Sequence, residues 1–275
     1  MQTPTFAGNL FRGIKDRLLS PFRDESSCDI GWLTEKWLKH IPPGKDRTVR
    51  LYGMSYTFRI PAEFLHTYRE IYANGIYDIL LGPSPHIIDC GANIGIGTLY
   101  LKQRHPDSTI LAFEPDDTNF ALLERNIRDS GFEGITLRKE AVWKEEGAID
   151  FSLDANMGSR IEEDGTGGTR KVRCVRLRDH IDRKVDFLKI DIEGAEYEVL
   201  KDIEEVLPNV DNMFLEYHGD FDQGGELAEI TAILARNGFG YYIREAAETH
   251  PQPFRRSASK PMYDVQLNIF CFKNP

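Results

Sequence analysis

The sequence predicts an α/β fold with a Rossmann-like, seven-stranded, mostly parallel sheet, preceded by a small N-terminal α/β cap. Seven short apolar stretches follow one another between residues 86 and 273. Most are separated by segments with helical spacing, the pattern of a parallel sheet with helices on both faces. The last stretch, 265–273, follows a loop rather than a helix, so we expect it to run antiparallel beside its neighbour.

The N-terminal part has a different pattern and is predicted to form a cap, residues 1–80, before a core domain, residues 81–275. Residues 29–39 have helical spacing, and residues 47–60 have the pattern of a hairpin. Pro61 is predicted to open a helix that reaches about residue 73, because proline is tolerated at a first helical position.

The core domain contains the strands of the predicted sheet. Strands are expected at 86–91, 109–115, 135–143, 185–194, 212–219, 239–243 and 265–273. Helices are expected at 95–104, at 117–130, after Gly194 and at 224–237. Two stretches, 162–170 and 247–263, are expected to be loops, and the second is too long to be a simple turn. Long loops in compact domains are usually functional or disordered.

The composition is that of a folded, acidic protein. The net charge of −10 disfavours a broad nucleic-acid-binding surface, so no nucleic-acid partner is expected. The four cysteines form no C-x-x-C pair, which argues against a disulfide framework and for a reducing compartment. No apolar run reaches the roughly 18 residues that span a bilayer. We expect a cytoplasmic protein without a transmembrane segment, and self-association into a homo-oligomer is left open. An amphipathic stretch at 9–19 is expected to pack on the body of the protein or to fray, rather than to bind a membrane surface or a partner.

A cofactor-binding motif is predicted where the first core strand ends, in the segment Asp89-Cys90-Gly91-Ala92-Asn93-Ile94-Gly95. Ligands of doubly wound sheets bind beyond the carboxyl ends of the strands. Glycines let the chain turn tightly and let a ligand approach the backbone, and the next helix offers free N–H groups to an anionic group. Glu114 ends the second strand, 25 residues after Asp89, where an acid can accept hydrogen bonds from both ribose hydroxyls of an adenosine.

The adenosine cofactor is predicted to be S-adenosylmethionine (SAM) rather than NAD. The G-x-G-x-x-G pattern is absent, and the loop has Asp89 and Asn93 where a pyrophosphate would lie, which suits a zwitterionic methionine tail. In the alternative interpretation these two residues only form and cap the turn. Glu140 and Ala141 follow the third strand, where an adenine ring would lie. Either Glu140 or nearby backbone binds the adenine amino group, or the pair is a surface acid beside a core alanine.

Together these segments resemble the FkbM family of methyltransferases over about residues 86–218. The resemblance rests on IIDCGANIGIGTLYL, on AFEPD followed by a helix with Asn126, on EAVW and on VDFLKIDIEGAEYEVLKD. It implies the class I methyltransferase fold and O-methylation of a small hydroxylated acceptor, a sugar or a secondary metabolite. It also implies cofactor roles for Asp89, Gly91, Asn93 and Glu114. Tyr77 matches a tyrosine of the family that either closes over the cofactor or belongs to the core.

Methyl transfer to an alcohol needs a base, a metal ion or both, because the alcohol must lose its proton. Asp191 and Glu193 end one predicted strand, and Glu216 and His218 end another, with alternate residues on one face. In one interpretation His218 is the general base, oriented by Asp191 or Glu216. In a second, Asp191, Glu216 and His218 bind a divalent ion, magnesium or, given the histidine, manganese.

A third interpretation gives these residues no part in chemistry. Glu193 then interacts only with the dipole of the following helix, as we also expect of Glu196 and Glu198, and His218 is a loop histidine with a backbone partner.

Other functions compete with a small-molecule methyltransferase. The RRSASK segment at 255–260 would suit an RNA or protein methyltransferase, through contacts with phosphates. A SAM-binding module without catalysis, acting as an assembly partner, is a further alternative. A dehydrogenase is disfavoured by the loop sequence.

Overall fold

The fold was analysed in a computed structural model that describes residues 30–152, 169–255 and 261–273 of the 275-residue chain. The helix predicted at 9–19, most of the loop predicted at 162–170, and residues 256–260 of the second loop lie outside the described residues. Among the described residues, no helix combines the length and the apolar character needed to cross a bilayer.

The described elements follow the predicted order. They are α1 (Trp32–Leu38), β1 (Arg47–Leu51), β2 (Met54–Phe58), α2 (Pro61–Tyr68), a π-helical turn (Arg69–Ala73), β3 (His86–Cys90), α3 (Ile96–Arg104), β4 (Thr109–Phe113), α4 (Asp117–Ser130), β5 (Ile135–Arg138), β6 (Ala141–Trp143), β7 (Gly147–Ser152), β8 (Thr169–Arg176), β9 (Phe187–Ile190), α5 (Glu196–Asp202), β10 (Asn212–Gly219), α6 (Gly224–Arg236), β11 (Phe239–Glu245) and β12 (Val265–Lys273). Short 3₁₀ helices follow β8, α5 and β10.

The central sheet has seven strands in the order β11-β12-β10-β9-β3-β4-β5. The five strands from β10 to β5 in this order run parallel to one another, and β12 runs antiparallel to both β10 and β11. The predicted α/β fold, with a mostly parallel seven-stranded sheet and an antiparallel last strand, is therefore confirmed. The carboxyl ends of β3, β4, β9 and β10 lie at one edge of the sheet, which brings the predicted motifs together.

The single strand predicted at 135–143 is wrong, because the chain leaves the central sheet after Arg138. Strand β6 joins a second sheet of three strands in the order β6-β8-β7. Strands β7 and β8 were not predicted. An uninterrupted strand-like pattern cannot reveal this change, since strands of two different sheets have the same preference for β-branched and apolar residues.

The N-terminal cap packs on one face of the central sheet. Aromatic side chains of β2, α2 and the π-helical turn form its centre, with Phe58 stacked on Phe64 at 4.4 Å between ring centroids. This cluster continues into Phe187 and Phe214 of the sheet without a break. Since cap and sheet share one core, the boundary near residue 80 stays a prediction.

A buried asparagine joins the cap to the cofactor loop. Asn126 of α4 accepts a hydrogen bond from the Thr57 backbone N–H at 2.7 Å and donates to the Thr57 carbonyl at 2.9 Å. Its amide also donates to the Ile94 carbonyl at 2.8 Å. Asn126 is fully buried and both bonds to Thr57 are shielded from water, so the position of the loop depends on the cap hairpin.

Candidate active site

The loop after β3 has a conformation that only glycine accommodates at two positions. Gly91 has φ +85°, and a Cβ there would lie 1.8 Å from the carbonyl oxygen of Asp191. Gly95 has φ +88°, and a Cβ there would lie 2.6 Å from Leu123. The two glycines therefore bring the loop against the end of β9 and against α4.

Glu114 lies beside this loop and holds it by hydrogen bonds. One carboxylate oxygen accepts from the Asn93 N–H at 2.8 Å, and the other accepts from the Asp116 N–H at 2.9 Å. Asn93 adopts φ +50°, and its side-chain oxygen accepts from the Ile94 N–H at 2.7 Å. Burial raises the pKa of Glu114 to about 7. Each carboxylate oxygen keeps a further lone pair for a hydroxyl donor.

A buried lysine that the sequence analysis missed lies beneath the crevice. The Lys189 ammonium group is 3.4 Å from a carboxylate oxygen of Asp89 and 3.2 Å from one of Asp191, and it donates to the Gly91 carbonyl at 2.8 Å. Asp89 also accepts from the Thr98 hydroxyl at 2.6 Å. Burial by itself lowers the pKa of Lys189, but the surrounding negative charges, above all Asp191, hold it well above its ordinary value. Lys189 thus links the cofactor loop to the end of β9.

The remaining predicted cofactor residues lie in different surroundings. Tyr77 is buried, with its ring 5.0 Å from Phe214 and its edge against Gly97. This places the ring in the core, and burial raises the pKa of its hydroxyl well above the ordinary value. A role for Tyr77 in closing over a cofactor stays a prediction.

Glu140 is buried, so the expectation of a surface acid is wrong. Its carboxylate accepts from Arg138 at 2.6 Å and forms an ion pair with Arg173 at 3.1 Å. Ala141 is a core residue at the start of β6. The two arginines compensate the charge of Glu140, and its binding of an adenine amino group stays a prediction.

The predicted catalytic residues come together because β9 and β10 are parallel neighbours. Ile190 pairs with Leu215, so the next residues along, Asp191 and Glu216, lie side by side. His218 follows on the same face as Glu216. Strand register thus places two carboxylates and an imidazole at one point of the sheet edge, next to the cofactor loop.

Three carboxylates surround the His218 imidazole. Its Nδ1 is 3.2 Å from Glu196, while its Nε2 is 3.5 Å from Glu216 and 3.6 Å from Glu193. The imidazole is almost fully buried. Burial alone lowers the pKa of His218, but the carboxylates, led by Glu196, outweigh it and hold the pKa well above its ordinary value. Burial raises the pKa of Glu193 to about 7 and also raises that of Glu216.

The expected role of Glu196 is wrong, because this residue is not merely a partner of the helix dipole. It is buried and accepts from the backbone N–H groups of Ile192 and Gly194, at 3.0 and 3.1 Å, as well as facing His218. It orients Nδ1, the task expected of Asp191 or Glu216. Glu198, in contrast, only pairs with lysines at the surface.

One group of side chains at this edge could hold a metal ion. Within the described residues, Asp191, Glu193 and His218 each offer a ligand atom, and these atoms lie within 4.8 Å of one another. Glu193 thus joins two of the predicted ligands, while the predicted set of Asp191, Glu216 and His218 stays a prediction.

A second charged group that the sequence analysis missed is an acid from the cap. Glu70, in the π-helical turn, faces the same edge of the sheet, and burial together with the charges of Glu216 and Asp191 raises its pKa to about 7. The charge of Arg244 on β11 opposes that shift. The cap and the C-terminal strands therefore both contribute charged groups close to Glu216 and Asp191.

Comparison with known proteins gives one family match and three relatives. The family described as Methyltransferase FkbM domain matches residues 89–241. Methyltransferase sdnD of Sordaria araneosa is 30% identical over 235 residues, which cover 71% of this chain and 88% of that protein.

Two further relatives have names that specify a reaction. The 31-O-demethyl-FK506 methyltransferase FkbM of Streptomyces tacrolimicus is 29% identical over 242 residues, covering 72% of this chain and 91% of that protein. The 2-O-methyltransferase NoeI of Sinorhizobium fredii is 26% identical over 207 residues, covering 67% of this chain and 82% of that protein.

Proposed function

The chain belongs to the FkbM methyltransferase family, and from this premise we propose that it transfers the methyl group of SAM to a hydroxyl of a small acceptor, a sugar or a secondary metabolite. The observation that carries the proposal is the position of His218. Its imidazole lies at the carboxyl end of β10, and only β9 separates this strand from β3, which leads into the predicted cofactor loop. The names of the FkbM and NoeI relatives support oxygen as the methylated atom.

In this proposal the loop and Glu114 hold the cofactor. Glu114 accepts hydrogen bonds from the ribose hydroxyls, and the backbone around Gly91 and Asn93 holds the methionine tail. When bound, SAM supplies an electrophilic methyl group and a sulfonium charge that opposes protonation of a nearby imidazole. Much of the remaining catalysis is the positioning of the acceptor oxygen in line with that methyl group.

His218 is proposed to take the proton of the acceptor hydroxyl. Glu196 fixes the ring through Nδ1, which leaves Nε2 toward Glu193, Glu216 and the space in front of the sheet edge. Before cofactor binds, the carboxylates favour the imidazolium form. The base therefore becomes available as positive charge enters the site or as the pH rises.

The same cluster suits a divalent ion as a second route to an acidified hydroxyl. Two carboxylates and an imidazole within 4.8 Å are a suitable donor set for manganese or another transition ion. Asp191, Glu193 and His218 would hold the ion, which would supply Lewis-acid activation of the acceptor oxygen.

The proposal is tested by methyl transfer from tritiated SAM to a panel of sugars and hydroxylated aromatic compounds, with and without EDTA. His218→Asn should lower kcat by roughly 10²- to 10⁴-fold, since general base catalysis contributes about that much. Its affinity for S-adenosylhomocysteine should stay within about twofold of the wild type. The matched control is His40→Asn, at an exposed histidine of the cap.

Three results separate the alternatives. Loss of activity in EDTA, restored by manganese, would favour the metal route over unaided base catalysis. Label that enters total RNA or protein but no small acceptor would contradict the proposed substrate class. Full activity of His218→Asn would remove His218 from the chemistry.

A further inference from the structure

The connection between β11 and β12 ends against the catalytic cluster. Tyr263, two residues before β12, is buried, and its ring centroid lies 4.8 Å from that of His218. Its hydroxyl donates to the carbonyl oxygen of Glu193 at 2.7 Å. A segment in which the sequence showed no usable pattern thus places a side chain directly on the candidate site.

The neighbouring residue holds this end of the connection in place. Asp264 accepts from the Phe221 N–H at 3.2 Å and lies 2.9 Å from the His250 imidazole. Its carbonyl accepts from the Thr249 hydroxyl at 2.7 Å. These contacts join the two ends of the connection to each other, and Asp264 also to the helical turn after β10. They therefore fix the position of the backbone next to Tyr263.

The turn that Tyr263 contacts is in an unfavourable backbone conformation. Glu193 has φ +59°, a left-handed conformation that a residue with a side chain keeps only where its surroundings enforce it. The next residue, Gly194, has φ +100°, and a Cβ there would lie 3.3 Å from the Tyr263 hydroxyl oxygen. The tyrosine ring therefore lies in space that a glycine leaves open.

The turn is held from both sides. Glu196 accepts from the N–H groups of Ile192 and Gly194, on either side of Glu193, and the Tyr263 hydroxyl donates to the Glu193 carbonyl. With the backbone held in this way, the Glu193 carboxylate points at Nε2 of His218, 3.6 Å away.

We propose that Tyr263 is a positioning residue for methyl transfer, whose hydroxyl holds the left-handed turn at Glu193 and so aims the Glu193 carboxylate at His218. The inference rests on the proposed function for its catalytic consequence, whereas the contact itself is independent of any acceptor. Tyr263 acts through Glu193 and takes no proton in the reaction.

The contact is tested first without an acceptor, by hydrogen exchange of the cofactor-free full chain. Tyr263→Phe keeps the ring and removes only the hydroxyl, so the amides of residues 192–196 should exchange roughly fivefold faster, as expected for one lost hydrogen bond. The matched control is Tyr241→Phe, at an exposed tyrosine of β11. Unchanged exchange at 192–196, with a folded variant, would overturn the proposal.

The catalytic consequence is tested by a double-mutant cycle on the best acceptor of the panel. Tyr263→Phe should lower kcat by roughly 10-fold to 100-fold, the effect of a small misplacement, and leave KM and the affinity for S-adenosylhomocysteine nearly unchanged. In a Glu193→Gln background the same change should have almost no further effect, because both act through one carboxylate. Additive losses, or a loss confined to KM, would overturn the proposal. If the wild type methylates no acceptor, the proposed function fails, and the hydrogen-exchange result alone decides on Tyr263.

Discussion

The Glu114→Gln substitution should stabilise the cofactor-free protein and weaken its binding of the cofactor. Glu114 is buried, and its raised pKa shows that the folded protein holds the carboxylate at a cost. Glutamine has nearly the same shape but no charge, so it removes that cost. It also replaces one acceptor oxygen by a donor, which faces either the Asn93 or the Asp116 N–H.

The magnitude follows from the pKa. A pKa raised from an ordinary value near 4.5 to about 7 corresponds to about 3 kcal/mol of destabilisation when the group is ionised. Since the folded-state pKa is the higher one, this cost is absent below pH 4.5 and complete above pH 7. The mismatched hydrogen bond in the variant costs about 1 kcal/mol. We therefore expect Glu114→Gln to be more stable than the wild type by about 2 kcal/mol at pH 8. At pH 5 less than about 1 kcal/mol of the cost is present, so the two proteins should be about equally stable.

Binding should change in the opposite direction. A hydrogen bond to a charged acceptor contributes about 1.5–3 kcal/mol, and glutamine can replace only one of two. A loss of about 2 kcal/mol corresponds to roughly 30-fold weaker binding of S-adenosylhomocysteine.

Urea unfolding of the cofactor-free proteins at pH 5, 6, 7 and 8 measures the first effect, and titration calorimetry at pH 8 measures the second. Glu133→Gln, at an exposed glutamate, is the control for a simple change of net charge. If the variant is no more stable than the wild type at pH 8, the buried charge of the Glu114 carboxylate does not destabilise the folded protein, and the reasoning is refuted. An affinity within threefold of the wild type would refute the role of Glu114 in binding the ribose.

Two further substitutions test the loop and the imidazole. Gly91→Ala should weaken S-adenosylhomocysteine binding at least about 100-fold, because its Cβ would meet the Asp191 carbonyl at a positive φ. The control is Gly225→Ala, where a Cβ has open space. Unchanged binding by Gly91→Ala would contradict the loop geometry. Glu196→Gln should shift the rising limb of the plot of kcat/KM against pH to lower pH, because it removes the largest of the charges that raise the pKa of His218. A limb that moves to higher pH, or does not move, would show that another group titrates.

The cofactor crevice could be predicted from the sequence because its parts are local. The residues from Asp89 to Gly95 are consecutive, and Glu114 ends the very next strand, so strand order brings them together without further information. The period-two pattern of β10 likewise put Glu216 and His218 on one face.

The rest depended on which distant side chains meet. In the sequence, Lys189 is a single charged residue inside a strand of mostly apolar residues, and nothing nearby in the chain indicates its partners. Only the fold shows that its ammonium group lies between Asp89 and Asp191. Glu70 lies almost 150 residues from Glu216 in the chain, and the packing of the cap on the sheet brings it to the site.

Residue types and strand periodicity determined the α/β class, the predicted cofactor loop and the two strand ends that have the predicted catalytic residues, since each of these depends on neighbours within a few residues. Tertiary structure decided that Glu196 and not Asp191 orients His218, that Tyr263 reaches Glu193, and that the chain changes sheets after Arg138. The physical reason is that side-chain direction and burial are properties of the packed core, which no local pattern contains.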